Sequence, residues 1–364
     1  MKNKNKMIVL ISQVLIVIIL LITTVNAISN TINVNVIETR DLSVDYISID
    51  EKNPSLEGNV TDNTEFMRIT YPLSDNGLIT RTNPEIFEAK IGFILEDDER
   101  SPLLKELYKK GRLSKTLGNK TDRVIGVVPY GWFANHGRNG TKGISSYNSI
   151  RTIRAVIVEE GIKHAAAHEL GHTFGFCEEY NNASWLKRHN IQVGGCPNGD
   201  SDGNNILDPS CLDGSTGCDT STIGKLVPWN LSDNEINLFN FMGNGEDQDK
   251  RWITRDSYNH LLSTFSSSYS FISVDFGILV SGTINKANGT VNIDEFSYIL
   301  DERSILNESS DGNYTLVINS TGGSFYSIKF EPDFIINEIG GNTTEVNVSS
   351  FAFVLPFSNN VTKI

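Results

Sequence analysis

The sequence predicts an α/β (α+β) domain followed by a C-terminal all-β sandwich. Two observations support this fold class. Up to about residue 265, strand-like apolar runs alternate with segments of helical periodicity. Beyond residue 268, short alternating strands are separated by Asn-Gly, Asp-Gly and Gly-Gly turns. We therefore predict a first domain over residues 31–265 and a β-sandwich domain over residues 268–364.

The elements of the first domain follow from periodicity. Alternation of apolar and polar residues predicts that residues 31–50 form the first strand. A helix over 162–174 is predicted by an apolar stripe at four-residue steps, and Gly175 suits its end. The other predicted strands are 66–71, 89–95, 123–129 and 151–159, and the other predicted helices are 101–113 and 254–265.

The first 27 residues have the pattern of an export signal. Three lysines precede an uncharged apolar run over residues 7–25, and Ala27 suits a signal peptidase. The apolar run is also about as long as a membrane span, so residues 1–27 are either a cleaved signal peptide or an N-terminal membrane anchor. Both alternatives predict a chain that is secreted or held at the extracellular cell surface.

The charge balance excludes nucleic acid as a partner. The chain has 31 basic and 44 acidic residues, a formal charge of −13, and removal of the three lysines of the signal changes this to −16. The phosphates of nucleic acid reward a basic surface, and this chain is strongly acidic.

Cysteines and sequons agree with an exported protein. An even, clustered set of cysteines outside the cytosol predicts two disulfide bonds, in one of three pairings. Frequent Asn-x-Ser/Thr triplets, such as those at Asn59 and Asn119, are consistent with a glycoprotein. The four cysteines are Cys177, Cys196, Cys211 and Cys218.

The stretch HELGHTFGFCEEY, residues 168–180, predicts a zinc site. His168 and His172 are roughly 40° apart around a helix, so both imidazoles face one point, as two ligands of one zinc ion must. Glu169 flanks the same face. An adjacent carboxylate can take the proton of a zinc-bound water, whose pKa is near neutrality. We therefore predict His168 and His172 as zinc ligands and Glu169 as the general base.

A catalytic zinc site also needs a third protein ligand and one open position. Glu178 lies ten residues after His168, just past Gly175. The stretch resembles the metzincin clan of zinc peptidases, whose motif H-E-x-x-H-x-x-G-x-x-H has a histidine at that offset. The resemblance implies a metzincin-like fold and Glu178 as the third ligand, in place of the histidine. Glu179 is the first alternative and His189 the second.

Two further features extend the resemblance. The Glu-Glu-Tyr that ends the stretch is similar to the Asp-Glu-Tyr after H-E-x-G-H-x-F in the IgA-peptidase-type family of secreted zinc metallopeptidases, with a gap one residue shorter. Met242, in FNFMGNGED, occurs where metzincins have a methionine in a turn beneath the zinc. The resemblance implies that Met242 is this Met-turn residue, and an ordinary core methionine is the alternative.

Two other segments carry functional hypotheses. NGDSDGNNILD resembles part of a calcium loop, with Asp200 and Asp202 as oxygen ligands, although the terminal glutamate is missing. It is either a Ca²⁺ site or a polar turn. The run GISSY, residues 143–147, predicts an edge strand that binds an extended peptide by strand addition.

Together these features predict a secreted zinc-dependent metalloendopeptidase that hydrolyses protein or peptide substrates. Two alternatives stay open: a cell-surface binding or adhesion module with a structural zinc site, and a zinc amidase that acts on cell-wall material. Glu169 argues against the binding module, because a structural zinc site has no need of a base and more often closes with a fourth ligand.

Overall fold

The structure is a computed structural model. It is mixed α/β with several sheets, rich in strands. The predicted N-terminal signal or anchor, the four cysteines and the calcium-like loop lie outside the described residues. Those described are 37, 39–50, 64–74, 76–113, 121–146, 153–176, 239–242, 251–253, 255–266, 271–272, 277–299, 304–305, 312–339, 344–357 and 361–364.

The elements up to residue 266 alternate between strands and helices. Within this part, residues 64–70 form the helix α1. The others are β1 (Leu42–Ile49), β2 (Leu78–Phe87), α2 (Asp97–Leu113), β3 (Arg123–Val128), α3 (Trp132–Asn135), β4 (Gly143–Ser146), β5 (Ala155–Glu159), α4 (Ala165–Thr173), β6 (Phe239–Asn240), β7 (Arg251–Trp252) and α5 (Arg255–Ser266).

The elements after α5 are strands, among the residues described there. They are β8 (Phe271–Ile272), β9 (Gly277–Asn285), β10 (Val291–Ile293), β11 (Ser297–Ile299), β12 (Ser304–Ile305), β13 (Tyr314–Ser320), β14 (Gly323–Phe330), β15 (Ile335–Ile339), β16 (Thr344–Glu345), β17 (Val348–Pro356) and β18 (Val361–Lys363).

A seven-stranded sheet organises the molecule, in the order β16-β15-β4-β5-β3-β1-β2. β2, β1, β3 and β5 are parallel to one another, and β4 runs antiparallel to β5. β1, β3 and β5 are buried along their whole lengths, as expected of parallel strands covered on both faces.

Different helices cover the two faces of this sheet. α4 packs on one face, where Leu170 shares a core with Val127 and Val158. α2 packs on the other face, where Leu104 shares a core with Ile157. Side chains alternate between the faces along each strand, so each strand contributes to both cores.

Two predicted strands of the first domain are wrong. The aromatic and β-branched side chains of residues 66–71 favour a strand, but residues 64–70 are helical. The buried side chains of Thr64, Met67 and Thr70 recur at three-residue steps, so packing decides in favour of the helix. Residues 89–95 are not a strand either, and the side chain of Phe93 is 96% exposed there.

The C-terminal strands form two sheets around a third core. β9 pairs with β17, β10 and β11, and β13 pairs with β14 and β18. Val280 and Phe353 of the first sheet share an apolar core with Ile318 and Phe330 of the second. The β-rich character predicted for this segment is confirmed.

The two predicted domains share structure across the boundary near residue 265. β15 and β16 come from the C-terminal segment, yet they extend the seven-stranded sheet beyond β4. α2 also packs on β17, and Ala352 belongs to the same core as Leu104. The residues from 38 onwards accordingly form one compact unit. Among the described helices, none is long and apolar enough to cross a membrane.

Asp294 gives the contact between α2 and the C-terminal strands a dependence on pH. Although burial opposes its ionisation, hydrogen bonds from Lys105 and Ser281 and the charges of Lys105 and Lys109 hold the pKa of Asp294 below its usual value. The stabilisation is therefore present above pH ~4 and lost as pH falls through the lowered pKa. We expect Asp294→Asn to reduce the loss of unfolding free energy below pH ~4, measured by urea denaturation at several pH values.

A control for Asp294→Asn is Asp333→Asn. Burial raises the pKa of Asp333. Protonation of Asp333 therefore increases the free energy of unfolding as pH falls, whereas protonation of Asp294 decreases it. An acid limb of the stability profile that is identical in the parent and Asp294→Asn would contradict the assignment.

Candidate metal centre

α4 carries the predicted zinc motif and ends in a glycine turn. Gly175 has a φ of 93°, in the left-handed region. The N–H of Gly175 donates to the carbonyl of His172, and the N–H of Phe176 donates to the carbonyl of Gly171. This is the Schellman pattern of a helix end. The turn brings the chain back over the last turn of α4.

The two histidines of the motif converge at one point. Their Nε2 atoms are 3.3 Å apart, and their ring planes are inclined by 79°. Two ligands at about 2.0–2.1 Å from one zinc ion, at the tetrahedral angle, have nitrogen atoms separated by ~3.3–3.4 Å. The side chains of His168 and His172 therefore have the spacing that a zinc ion requires.

Backbone carbonyls fix the orientation of both rings. Nδ1 of His168 lies 2.9 Å from the carbonyl oxygen of Phe241, and Nδ1 of His172 lies 2.9 Å from that of Phe176. A carbonyl only accepts, so Nδ1 carries the proton in each ring and, in the neutral ring, Nε2 presents a lone pair. Two lone pairs that face each other need a cation between them, either a proton on one ring or a metal ion.

The hydrogen bonds from Nδ1 are of the kind that orients metal-binding histidines. Such partners set the tautomer of the ring and raise the basicity of the ligand atom. Phe176 reaches His172 through the glycine turn, whereas Phe241 reaches His168 from a segment 73 residues further along the chain. The second contact joins the motif to a segment that is remote in sequence.

Met242 lies directly against the motif helix. It is fully buried, and a Cβ atom added at Gly171 would be 2.5 Å from the Met242 sulfur. The same Cβ atom would be 3.0 Å from the ring of Phe176. Only a glycine at position 171 therefore lets Met242 and Phe176 pack this closely against α4.

We expect Gly171→Ala to destabilise the protein, although glycine to alanine in an open helix normally stabilises it. The added methyl group must displace Met242 or Phe176, at a cost of about 1–3 kcal/mol. Denaturant unfolding measures this change. The double variant Gly171→Ala/Met242→Ala should cost less than the sum of the two single variants, because the smaller side chain leaves room. Additive costs would rule out the contact.

The side chain of Arg123 holds the C-terminal end of α4. Arg123 donates to the hydroxyl of Thr173 at 2.9 Å, and its guanidinium lies 4.6 Å from the centroid of the Phe174 ring. Desolvation, together with the charges of Arg154 and Arg40, lowers the pKa of Arg123 to about 9. These contacts fix the position from which the chain leaves the helix.

α5 supports the same bend. Nε2 of His260 lies 2.6 Å from the carbonyl oxygen of Phe174, and its ring packs on that of Phe176 with centroids 5.1 Å apart. The helix predicted over residues 254–265 is confirmed as α5, and its place is against the bend that follows the motif.

The remaining site residues of the sequence analysis have separate outcomes. Glu169 is fully buried in α4, at the position that directly follows His168. Within the described residues, no group of three or more His, Cys, Asp or Glu side chains could hold a metal ion, so the structure brings together the two histidines alone. The other predicted residues, Glu178, Glu179, His189, Asp200 and Asp202, lie outside the described residues.

Comparison with known proteins gives little beyond this geometry. No family model and no curated protein matches the sequence. Among solved structures, the chain is similar to metalloproteinase-II from Bacteroides fragilis, with 12% identity and a TM-score of 0.33 over 66% of this chain and 59% of that one. The chain thus spans about three fifths of that metalloproteinase.

Two structures of OgpA from Akkermansia muciniphila are also similar. One has 12% identity and a TM-score of 0.26 over 91% of this chain and 88% of that one. The other has 11% identity and a TM-score of 0.23 over 93% and 99%. At these TM-scores none of the three likenesses carries a conclusion about this chain.

Sequence reasoning did not find the residues that support the histidines. The carbonyls of Phe176 and Phe241 have no side-chain signature, and Arg123 and His260 are remote in sequence. A partial signal was available for Phe176, since a glycine at the end of a helix predicts a turn that brings the following residue back.

Proposed function

We propose that the protein is a zinc-dependent metalloendopeptidase of the metzincin type. The observation that carries the proposal is the convergence of His168 and His172, with Nε2 atoms 3.3 Å apart and both Nδ1 atoms committed to backbone carbonyls. A zinc ion needs this arrangement, whereas two histidines without a metal ion reach it only when one ring carries an extra proton.

The chemistry assigned to the chain's own residues follows from their positions. When bound, zinc would lower the pKa of a water ligand and polarise the scissile carbonyl. Glu169 follows His168 on the same helix and would take the proton of that water, then deliver it to the leaving amine. The carbonyls of Phe241 and Phe176 keep both rings in the tautomer that leaves Nε2 available. The burial of Glu169 excludes competing solvent and strengthens its electrostatic interactions.

The third ligand in this proposal is Glu178, in the segment that follows the glycine turn. The bend at Phe174–Phe176 is held by Arg123 and His260, so the chain enters that segment from a fixed position next to His172. Two histidines and a carboxylate leave a fourth position open for water, as a catalytic zinc site requires.

The choice between Glu178 and Glu179 is tested by metal content. We expect Glu178→Ala to lose zinc on dialysis and Glu179→Ala to retain it, because Glu178 is the carboxylate at the offset of the third metzincin ligand. Metal analysis of the two purified variants measures this directly. The reverse pattern would assign the site to Glu179, and retention by both would exclude either residue as the third ligand.

Location and partners are part of the same proposal. We propose that the protein acts outside the cell, as a secreted or surface-held enzyme on protein or peptide substrates. A Ca²⁺ site at Asp200 and Asp202 is a further element of the proposal. The N-terminal segment, in which three lysines precede an apolar run, and the clustered cysteines support an extracellular location.

The experiment that tests the function is cleavage of a peptide library by residues 28–364, followed by mass spectrometry. We expect cleavage with zinc, none after treatment with a chelator, and recovery when zinc is restored. Cell-wall fragments serve as a parallel substrate. Cleavage of those fragments alone would favour the amidase, and bound zinc with no hydrolysis of either substrate would favour the binding module.

A further inference from the structure

The strand β4 has no free edge. One side of β4 pairs with β5, where Gly143, Ile144 and Ser145 are opposite Val158, Ile157 and Val156. The other side pairs with β15 in antiparallel fashion, along all four residues of β4. The sequence predicted an exposed edge here for strand addition by a peptide, and this prediction is wrong because β15 occupies that edge.

β15 occupies the edge in the manner of an added strand. It is a five-residue segment from the C-terminal part of the chain, and it reaches β4 across nearly 200 residues of sequence, with Glu338 opposite Ile144. Extended peptides that add to an exposed sheet edge gain affinity from the same main-chain hydrogen bonds. β15 therefore satisfies the groups on β4 that an incoming peptide would use.

The side chains of β15 alternate between the two faces of the sheet. Ile336 belongs to the core beneath α2, and Glu338 contacts Arg100 of α2, so both face that helix. Asn337 is fully buried and lies between them in sequence, so it faces the opposite side, where α4 packs against both β4 and β15. The occupied edge thus borders the helix that carries His168 and His172.

A buried ionic cluster holds β15 in place. The carboxylate of Glu338 contacts Arg100 and lies 3.7 Å from Arg138, and it accepts a hydrogen bond from the hydroxyl of Thr141 at 2.6 Å. Arg100 is fully buried, and Asp97 contacts both arginines. A buried carboxylate in such a cluster is costly to remove from its partners. The covered edge is therefore the resting state.

We propose that Ile335–Ile339 is an intramolecular occupant of the substrate-binding edge, and that the protein in this conformation is a latent peptidase. The inference rests on the proposed function. A peptide pairs with β4 once β15 has opened locally, an event of lower cost than global unfolding. The latch is formed by Glu338 with Arg100 and Arg138, so weakening this cluster raises activity, and fixing β15 to β4 abolishes it.

Two variants test the latch in opposite directions. Glu338→Gln keeps the size of the side chain and removes its charge. Its matched control is Glu345→Gln, because Glu345 lies on β16 and forms an exposed ion pair with Lys286. The double variant Ser145→Cys/Asn337→Cys joins residues that are opposite each other. Opposed residues of antiparallel strands are about 4.5–5.5 Å apart at Cα, within the range of a disulfide bond.

The measurements are the cleavage rate of the peptide library and hydrogen exchange of the amides of 143–146 and 335–339. We expect Glu338→Gln to raise both rates roughly tenfold, as loss of one charged hydrogen bond predicts. Glu345→Gln should leave both unchanged. The cross-linked variant should lose at least about 90% of the cleavage rate and regain it with reductant, which is also added to the parent as a control.

Each outcome bears on a different claim. Cleavage that persists in the cross-linked variant would overturn the latch and leave the peptidase intact. Faster exchange of 335–339 in Glu338→Gln without faster cleavage, in a parent that does cleave, would also overturn it. If no variant cleaves, including a Glu338→Gln protein with opened β15, the peptidase assignment fails and the latch fails with it. If Glu338→Gln does not fold, the cross-linked variant decides.

Discussion

Glu169→Gln is expected to lower kcat for peptide cleavage by about a thousandfold while the bound zinc remains. The amide has nearly the same size as the carboxylate, but it cannot accept the proton of the attacking water. In the proposed centre the protein ligands are His168, His172 and Glu178, and Glu169 is the base and not a ligand. Metal retention and loss of turnover should therefore separate cleanly.

The control for this experiment is Glu65→Gln. Glu65 is an exposed glutamate in α1 that pairs with Arg68, so its neutralisation should leave the cleavage rate unchanged. Turnover is followed with one peptide chosen from the library, and zinc is measured on the same samples. A Glu169→Gln protein that keeps more than about a tenth of the parental kcat would show that another group is the base.

His168→Ala and His172→Ala are each expected to weaken zinc binding by more than about a hundredfold. Loss of a group that only hydrogen-bonds to a metal ligand weakens binding by up to about a hundredfold, and loss of the ligand itself should cost more. Each substitution removes one of the two converging nitrogen atoms. Competition with a chelator of known affinity measures the change. The matched control is His136→Ala, because His136 bonds to the carbonyl of Trp132, whose side chain belongs to the core on the other face of the sheet from α4.

Thermal unfolding gives a second readout of the same prediction. Zinc that binds only the folded protein raises its Tm, so a chelator should lower the Tm of the parent and of His136→Ala. It should leave the Tm of His168→Ala and His172→Ala unchanged. Equal zinc affinity in all three variants would exclude the proposed centre.

Local sequence patterns predicted those elements whose identity depends on neighbouring residues. The apolar stripe on residues 162–174 predicted α4, and the turn residues between alternating segments predicted β9, β13, β14 and β17. Spacing within one helix also predicted that His168 and His172 share a face. The structure adds the rotation of the two rings, which depends on carbonyls that no pattern identifies.

The remaining features depend on contacts that are remote in sequence. The local preference of residues 66–71 predicts a strand, but packing of Met67 and Tyr71 in the core outweighs that preference, and residues 64–70 are helical. β15 joins β4 across nearly 200 residues, and Phe241 reaches His168 across 73. Such pairings are set by register and burial, which a local window does not contain. They decide both the geometry of the histidines and access to β4.

The most direct test of the central claim is X-ray absorption at the zinc edge on the parent protein, together with the zinc stoichiometry. The account predicts about one zinc ion per chain, with two imidazole nitrogens at about 2.0–2.1 Å, oxygen ligands at similar distances and no sulfur shell. The imidazole signal should disappear in the double variant His168→Ala/His172→Ala. No bound zinc, or a zinc shell of four sulfurs, would contradict the account.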